Sequence, residues 1–380
     1  MSTSCLQRMA LHRVSISPKT RWVFLQLQLA DGRIGSGEAT LNGQESALEA
    51  AADRLAERAL AASIDVPDRF AAAIVPADLA EAAVVSAIDH ALWDLHGQIA
   101  GVRLVDALGG SHRSTIPIYA NINRRTVSRT PQGFAQSARD ALAAGFRAFK
   151  VAPFDEVNPA LCAGGGGDAA MQPGLERIAA VRAVIGADCR LMVDCHWRFD
   201  EATASRLIPA AAQAGLYWVE CPMPEVDAHI PALVRLRGLA NARGIRLAGL
   251  EQGIGFESFR PYCEAGAYDV MMPDVKYVGG LREMLRCADA FTKHGVEMSP
   301  HNPSGPVAHA ASLHVSAAMA SFDALELQYD ESPLFDTLAG VPPRVGGSSA
   351  LPDGPGLGIG LDSHLLEAHA DRATRLWEAR

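Results

Sequence analysis

The chain has 380 residues, of which 49% are hydrophobic and 20% charged, and its formal net charge at pH 7 is -9. This length favours two domains, or one large barrel with additions, over a single small core. The acidic balance argues against a nucleic-acid partner, which requires clustered Lys and Arg. No apolar run reaches the ~20 residues of a membrane helix, and residues 1–14 lack the apolar core of a secretory signal. The seven cysteines include no CxxC pair, so we expect reduced thiols in a cytoplasmic protein without a membrane partner.

The first part of the chain contains a strand signal followed by two helical patterns. Residues 21–29 alternate apolar and polar side chains and run into the turn sequence DGRIGSGEA. Residues 44–60 and 77–99 are Ala-rich with helical spacing. Residues 1–115 are therefore predicted to form a small α+β unit. The Gly- and Pro-rich tail, residues 346–380, is expected to pack back on it.

The middle of the chain, residues 116–345, alternates short apolar runs with helical segments. Strands that alternate with helices are typical of βα units and a parallel sheet. Eight such runs fit a closed barrel better than an open sheet. The runs are IPIYA at 116, AFKVA at 148, RLMVD at 190, LYWVE at 216, RLAGLE at 246, YDVMMPD at 268, GVEMSP at 295 and ALELQ at 324.

A glycine-rich segment interrupts this pattern after the second run. Residues 155–173 include the sequence CAGGGGDAAMQPG. Four consecutive glycines disfavour a helix, so the segment is predicted to be a mobile loop. Because it follows a barrel strand, it belongs to the face where active sites form, either as a substrate lid or as a surface insertion.

Three successive apolar runs end in a carboxylate. These residues are Asp194, Glu220 and Glu251. In a barrel, the carboxyl ends of the strands meet at one mouth, so the three side chains are expected to converge there. Three hard oxygen ligands suit Mg²⁺, which keeps its other positions for water and substrate. The sequence therefore predicts a magnesium site.

The next two runs end in an acid and a histidine. Asp274 follows MMP, and His301 follows MSP. An Asp beside a His orients the ring, fixes its tautomer and raises its basicity. We therefore predict a dyad next to the metal.

The order of these residues, with Lys150 upstream, resembles the mandelate racemase branch of the enolase superfamily. The segments GSGEATLNGQE, AIDHALWDLHGQIAG, GFRAFKV and SPHNPSGPVAHAASLH carry the resemblance over essentially the whole chain. It implies an α/β fold in which an α+β capping domain, made from both termini, covers a modified (β/α)₇β barrel. It also implies one Mg²⁺ per subunit on the three carboxylates, a small carboxylate substrate and a homo-oligomer.

Two details are similar to the galactonate and mannonate dehydratases of that branch. Many racemases and cycloisomerases of the family have a Lys-x-Lys pair where this chain reads Lys150-Val151-Ala152, so the second lysine is absent. The third strand continues as Asp194-Cys195-His196, and strand alternation predicts that the Asp and His share a face. The resemblance implies that this histidine is a general acid.

These residues predict a hydro-lyase that dehydrates an aldonate or aldarate to a 2-keto-3-deoxy acid. His301, supported by Asp274, is expected to remove the α-proton, and His196 to protonate the leaving β-hydroxyl. Lys150 is expected to bind the substrate carboxylate. By resemblance, Glu326 hydrogen-bonds the enediolate. The resemblance also implies that a capping-domain loop with Glu38 and Asn42 closes over the substrate, with Asn42 as a contact. Arg198 is a further predicted contact, for which a solvated surface role is equally open, as it is for Lys276.

Two alternatives remain open at this stage. A racemase, epimerase or cycloisomerase of a hydroxy-carboxylic acid would use the same enediolate but needs a second base. A non-catalytic acid-binding barrel is the more distant alternative.

Overall fold

The amino-terminal part of the chain forms a small antiparallel sheet packed against helices, and we call this unit the cap. The computed structural model of the chain describes residues 5–379. Alternate residues of the second strand, such as Val23, Leu25 and Leu27, are buried against the helices. The elements are β1 (Leu6–Ser17), β2 (Thr20–Leu29), β3 (Ile34–Glu38), α1 (Glu45–Leu60), α2 (Asp68–Ala72), α3 (Leu79–Ala100) and α4 (Leu104–Ala107).

The glycines of β3 allow α3 to pack very closely on the sheet. A Cβ atom on Gly35 or Gly37 would overlap the backbone carbonyl oxygens of Ala91 and Ala87. The absence of a side chain therefore sets the distance between strand and helix.

Eight parallel strands form the barrel, and β4 pairs with β11 to close it. Each predicted apolar run contains one of these strands, and seven are followed by a helix, so the predicted (β/α)₇β architecture is confirmed. The strands are β4 (Thr115–Asn121), β5 (Ala148–Val151), β6 (Arg190–Asp194), β7 (Trp218–Glu220), β8 (Arg246–Gly249), β9 (Val270–Met271), β10 (Glu297–Met298) and β11 (Leu325–Gln328). The helices are α5 (Pro131–Ala143), α6 (Pro159–Ala163), α7 (Gly167–Ile185), α8 (Glu201–Ala211), α9 (Ile230–Asn241), α10 (Gly255–Ala265), α11 (Leu281–Lys293) and α12 (Pro306–Ala318).

Side-chain caps fix where several helices begin. Asp78, Thr130, Asn158 and Asp200 each accept a hydrogen bond from the backbone N–H three residues further on. These bonds satisfy amides that have no partner within the helix.

The prediction of a loop over residues 155–173 was wrong. Helix α6 occupies part of this segment, and α7 starts at Gly167 and continues through Pro173. Only Gly165 of the four glycines has a positive φ, of 79°, and it makes the turn between the helices. A Cβ atom on Gly167 would overlap Thr203, and one on Gly174 would overlap the ring of Phe154. Tertiary packing thus outweighs the low helix propensity of glycine here.

The tail of the chain returns to the cap after contacting the bottom of the barrel. The last strand lies at the edge of the cap sheet, where Arg8 pairs with Glu378. The strand before it pairs with β4 of the barrel. The cap is therefore built from both ends of the chain, as predicted, whereas the exact boundaries at 115 and 345 stay predictions. The tail elements are α13 (Leu334–Thr337), β12 (Arg344–Val345), β13 (Ser348–Ala350), α14 (Ser363–Ala368) and β14 (Arg375–Glu378).

Within residues 5–379, none of the helices has both the length and the apolar character needed to cross a bilayer.

Candidate active site

A cavity of about 280 Å³ lies between the cap and the carboxyl ends of the barrel strands, which we call the mouth. Its volume suits a small molecule, and its lining is mostly polar. The lining residues are Thr40, Leu41, Asn42, Asn121, Asn123, Arg124, Lys150, Asp194, His196, Glu251, Tyr277, His301, Pro303, Ser304 and Gln328.

The three predicted metal ligands stand at the ends of adjacent strands. Carboxylate oxygens of Asp194 and Glu220 lie within 4.8 Å of each other and of the Cys221 sulfur. Burial raises the pKa of the Cys221 thiol well above its usual value, so the thiol stays protonated and does not suit a hard cation. Glu251 reaches the same cavity from the end of β8. Its buried Oε2 has no hydrogen-bond partner among the described residues.

This cluster holds more buried acid than its cations balance. Burial raises the pKa of Glu220 to about 8, although Lys150 opposes the shift. Burial also raises the pKa of Glu251, against the attraction of His301. A divalent cation would stabilise the ionised form of both groups. The unpartnered Oε2 of Glu251 and the all-oxygen donor set fit Mg²⁺.

Left-handed backbone turns bring the ligands and their neighbours together. Cys221 and Leu250, which adjoin Glu220 and Glu251, have φ values of 44° and 65°. Strand β6 ends at Asp194, and His196 has a φ of 47°. His196 Nε2 lies 2.8 Å from Asp194 Oδ2. The predicted proximity of this pair is present, but it depends on the turn and not on strand alternation, since a left-handed residue is required.

Asp274 and His301 form a hydrogen-bonded pair supported by a buried lysine. His301 Nδ1 lies 2.8 Å from Asp274 Oδ2. Lys276 donates to the same carboxylate through its backbone N–H, at 2.8 Å, and through Nζ. Lys276 and other donors lower the pKa of Asp274 to about 2, against the effect of burial. Lys276 is fully buried, so it is not a solvated surface charge, and it is not among the residues that line the cavity.

Lys150 stands on the cavity floor between two carboxylates. Its Nζ lies 2.7 Å from Glu220 Oε1 and 2.9 Å from Glu326 Oε1. Burial opposes its charge, but these carboxylates outweigh burial and raise its pKa well above the usual value. Glu326 also accepts hydrogen bonds from Asn121 Nδ2 and the Asn302 backbone N–H. Burial is outweighed there too, so the pKa of Glu326 is lowered, and the group is ionised.

The two predicted substrate contacts have different surroundings. Asn42 lines the cavity from the cap, and its Oδ1 accepts from the Arg21 backbone N–H at 3.0 Å. Arg198 does not line the cavity. Its guanidinium instead donates to the carbonyl oxygens of Asp155 and Val157, at 3.1 and 3.0 Å.

Several lining residues were missed from the sequence. Asn121 ends the first barrel strand, Asn123 and Arg124 follow it, and Tyr277 follows the sixth. The polar run after IPIYA was the available signal, because a strand end in a barrel opens at the mouth. Glu38, which the resemblance placed in a substrate loop, is buried and accepts from the backbone N–H groups of Gly305 and Ala308, at 2.6 and 2.8 Å.

Comparisons with known proteins agree with this architecture. The family model described as "Mandelate racemase / muconate lactonizing enzyme, N-terminal domain" matches residues 5–109, and the one described as "Enolase C-terminal domain-like" matches residues 133–365. The chain therefore belongs to the mandelate racemase and muconate lactonizing enzyme family of the enolase superfamily. Members of this superfamily bind Mg²⁺ through acidic residues.

Individual relatives are similar at modest identity. A D-gluconate dehydratase of Thermoproteus tenax is 32% identical over 290 residues, which are 76% of this chain but only 56% of that protein. The chain thus spans little more than half of this relative. A D-galactarolactone cycloisomerase of Agrobacterium fabrum is 32% identical over 74% of this chain and 72% of its own length. The crystal structure of an enolase protein from Sargasso Sea environmental sequencing matches with a TM-score of 0.84 and 28% identity, covering 99% of both chains.

Proposed function

We propose that this chain is a Mg²⁺-dependent dehydratase that converts a sugar acid, an aldonate or aldarate, to a 2-keto-3-deoxy acid. One observation carries the proposal. Two histidines that follow different strands, each paired with its own carboxylate, line one cavity with Lys150, Asp194 and Glu251. The D-gluconate dehydratase among the relatives supports the same chemistry.

Asp194, Glu220 and Glu251 would hold one Mg²⁺ per subunit. When bound, the ion supplies positive charge that stabilises the enediolate formed from a carboxylate substrate. The chain's own contribution is Lys150. Its ammonium group is fixed by two carboxylates and placed on the cavity floor, where the substrate carboxylate would bind.

His301 is the proposed general base. In the neutral ring, with Nδ1–H donated to Asp274, Nε2 carries the free lone pair. This atom lies 3.4 Å from Glu251 Oε2 and 3.9 Å from Glu326 Oε2, so it faces the carboxylate cluster. From that position it would take the α-proton of a substrate held on Lys150.

His196 is the proposed general acid. Asp194 raises the pKa of His196 to about 9, and burial opposes the shift only in part. In the metal-free protein this shift favours the protonated imidazole, which is the form that a general acid requires. The proton it donates converts the leaving β-hydroxyl to water.

In this series of steps, each bond that forms is matched by a bond that breaks. The α-carbon loses its proton to His301, and that electron pair forms a carbon–carbon double bond as the β-carbon–oxygen bond breaks. The hydroxyl leaves as water with the proton of His196. The enol that remains tautomerises to the 2-keto-3-deoxy acid. Glu326 is ionised and engaged by three donors, and these contacts favour a positioning role over the expected hydrogen bond to an enediolate.

A cycloisomerase, racemase or epimerase is the second candidate, favoured by the cycloisomerase relative. Reprotonation on the opposite face needs a second base. Lys150 is a poor base because its carboxylate partners keep it protonated, and the next inward position is Ala152. These two residues support dehydration over racemisation.

The proposal extends to the setting of the enzyme. All seven cysteines are unpaired thiols, and six of them are buried, which supports a reducing compartment such as the cytoplasm. The substrate is a small carboxylate. A homo-oligomer, which sedimentation analysis would test, remains part of the proposal by resemblance alone.

The His301→Asn variant tests the role of the base. We expect turnover to fall by at least about 10³-fold, because proton abstraction loses its acceptor, with Mg²⁺ binding and fold retained. Proton NMR in D₂O, with Mg²⁺ and a panel of aldonic and aldaric acids, would follow the 3-deoxy methylene signal. The exposed His294→Asn is the matched control. Undiminished product formation by His301→Asn would contradict the assignment, and α-proton exchange without a methylene product in the wild type would favour the second candidate.

A further inference from the structure

Arg124 brings a second cation into the cavity. It follows the first barrel strand and is the sole arginine among the lining residues. Its side chain is 29% exposed, whereas that of Lys150 is 1% exposed. The two cations thus occupy different depths, with Lys150 on the floor and Arg124 at the rim.

One nitrogen of Arg124 makes all of its protein contacts. Nη1 donates to the Pro303 carbonyl oxygen at 2.9 Å and to Glu331 Oε2 at 3.0 Å. Nε and Nη2 make no hydrogen bond with the described residues. Glu331 does not line this cavity, but lines a neighbouring one. The guanidinium is therefore held in place from one side and keeps two donor nitrogens for a ligand.

A fork of two N–H donors in a fixed plane is the arrangement that binds carboxylates in a bidentate manner. A purely structural tie between the Arg124 loop and the Pro303 loop would need only the Nη1 contacts. The cavity that holds both cations is also lined by amides and hydroxyls, such as those of Asn42, Asn123 and Ser304, which suit a polyhydroxylated chain.

We propose that Arg124 binds a second carboxylate at the far end of the substrate, so that the enzyme selects aldarates, which are diacids, over aldonates. This inference rests on the proposed function, because it assumes that the proximal carboxylate binds at Lys150. Arg124 is then a specificity-determining residue that touches substrate away from the reacting atoms.

A matched substrate pair tests the inference. Galactarate and galactonate, or glucarate and gluconate, differ only in a terminal carboxylate against a hydroxymethyl group. The wild type should show kcat/KM for the diacid at least about 50-fold above that for the monoacid, as expected for a charge-assisted bidentate contact. Arg124→Gln should remove that advantage by lowering the diacid value by a much larger factor than the monoacid value. Equal losses for both substrates, or a wild type that prefers the monoacid, would overturn the inference.

Arg125→Gln is the matched control. Arg125 has the same 29% exposure but pairs with Asp140 and Asp330 outside the cavity, so this variant should keep the diacid preference. If Arg124→Gln fails to fold, Arg124→Lys keeps the charge beside Glu331 and loses the fork. It should still lower the diacid value by about tenfold, and an unchanged value would count against the inference.

Binding separates this inference from the proposed chemistry. Calorimetry with Mg²⁺ in a His301→Asn background measures affinity without turnover. The diacid should bind more tightly than the monoacid, and adding Arg124→Gln should abolish the difference. A binding difference without dehydration of any acid would defeat the proposed function and leave this inference standing. If the wild type dehydrates an acid but Arg124→Gln does not change the preference for the diacid, the proposed function would stand and this inference would fail.

Discussion

Glu251 shows at the scale of one residue how the candidate metal site differs from an ordinary buried cluster. Asp194 is paired with His196, and Glu220 accepts from Lys150 and from the Trp218 indole N–H. Glu251 lies 3.4 Å from His301, and its Oε2 has no hydrogen bond among the described residues. An ionised, unpartnered buried carboxylate is costly unless a cation binds it.

Glu251→Gln should therefore change stability with opposite signs in the two metal states. Without metal, the variant should be more stable than the wild type by about 1–2 kcal/mol, since like-charge repulsion and desolvation are relieved. With Mg²⁺, the wild type should gain more stability, because the variant loses a ligand charge. Thermal unfolding in EDTA and in millimolar Mg²⁺ measures both effects.

Glu257→Gln, at an exposed acid on α10, is the control and should show the wild-type response in both conditions. If Mg²⁺ stabilises Glu251→Gln as much as it stabilises the wild type, Glu251 is not a ligand of the metal.

At the scale of elements, two cap carboxylates hold the amino termini of barrel helices. Asp89 on α3 accepts from the Leu281 N–H at the start of α11, at 2.8 Å. Glu38 at the end of β3 accepts from Gly305 and Ala308 at the start of α12. The carboxyl oxygens satisfy N–H groups that have no partner within the helix, and Gly305 lies four residues after His301. These contacts fix the cap relative to the helices that flank the candidate base.

Asp89→Asn should alter the pH dependence of stability. Burial raises the pKa of Asp89 to about 7, although the Leu281 N–H opposes the shift. Between its ordinary value and about 7, the folded protein binds a proton that the unfolded chain has lost. The Asp89 contribution to the free energy of unfolding is therefore complete at low pH and is lost as pH rises through about 7.

Asp89→Asn removes this pH-dependent loss of stability, because the amide does not ionise. The Asn carbonyl oxygen can still accept from the Leu281 N–H. Relative to the wild type, the variant's free energy of unfolding should rise by roughly 2–4 kcal/mol between pH 4 and pH 8. Urea denaturation at several pH values measures the difference, with the exposed Asp65→Asn as control. Parallel pH profiles for Asp89→Asn and the wild type would show that the carboxyl is not protonated in the folded state.

At the scale of the whole molecule, the two chain ends meet in the cap sheet. Strand β14 pairs with β1 over residues 8–11. Arg375 and Trp377 both donate to Asp53 on α1, and Arg375 also lies 3.4 Å from Glu49. The last residues therefore bind the sheet and the first helix together, while the barrel lies between them in sequence.

Deleting residues 375–380 should destabilise the cap selectively. We expect a loss of about 1–3 kcal/mol, from the strand pairing and the partly exposed ion pairs. Hydrogen exchange should become faster in β1 and α1 and stay unchanged in β6 to β8, because local opening follows local contacts. A uniform acceleration across the barrel would show that cap and barrel unfold as one unit.

Local sequence patterns are enough to predict the barrel and the chemical character of its mouth. Hydrophobic periodicity is local, so each of the eight apolar runs could be recognised and placed on a strand. The carboxyl ends of all barrel strands lie at the same face of the barrel. Asp194, Glu251 and His301 could therefore be expected in one cavity. Glycine propensity, also a local signal, failed at residues 164–167 because α7 is held by contacts with distant residues such as Thr203.

The contacts of each charged side chain, in contrast, depend on how the whole chain folds. Lys276 is buried on Asp274, Arg198 binds backbone carbonyls, and Arg124 is held at the cavity rim by Glu331, 207 positions away. The left-handed turn at His196 likewise depends on contacts with neighbouring loops. The energy of a charge depends on burial and on partners brought close by folding. These partners cannot be predicted from neighbouring residues in the sequence. The periodicity of strands and helices can, because it appears in consecutive positions.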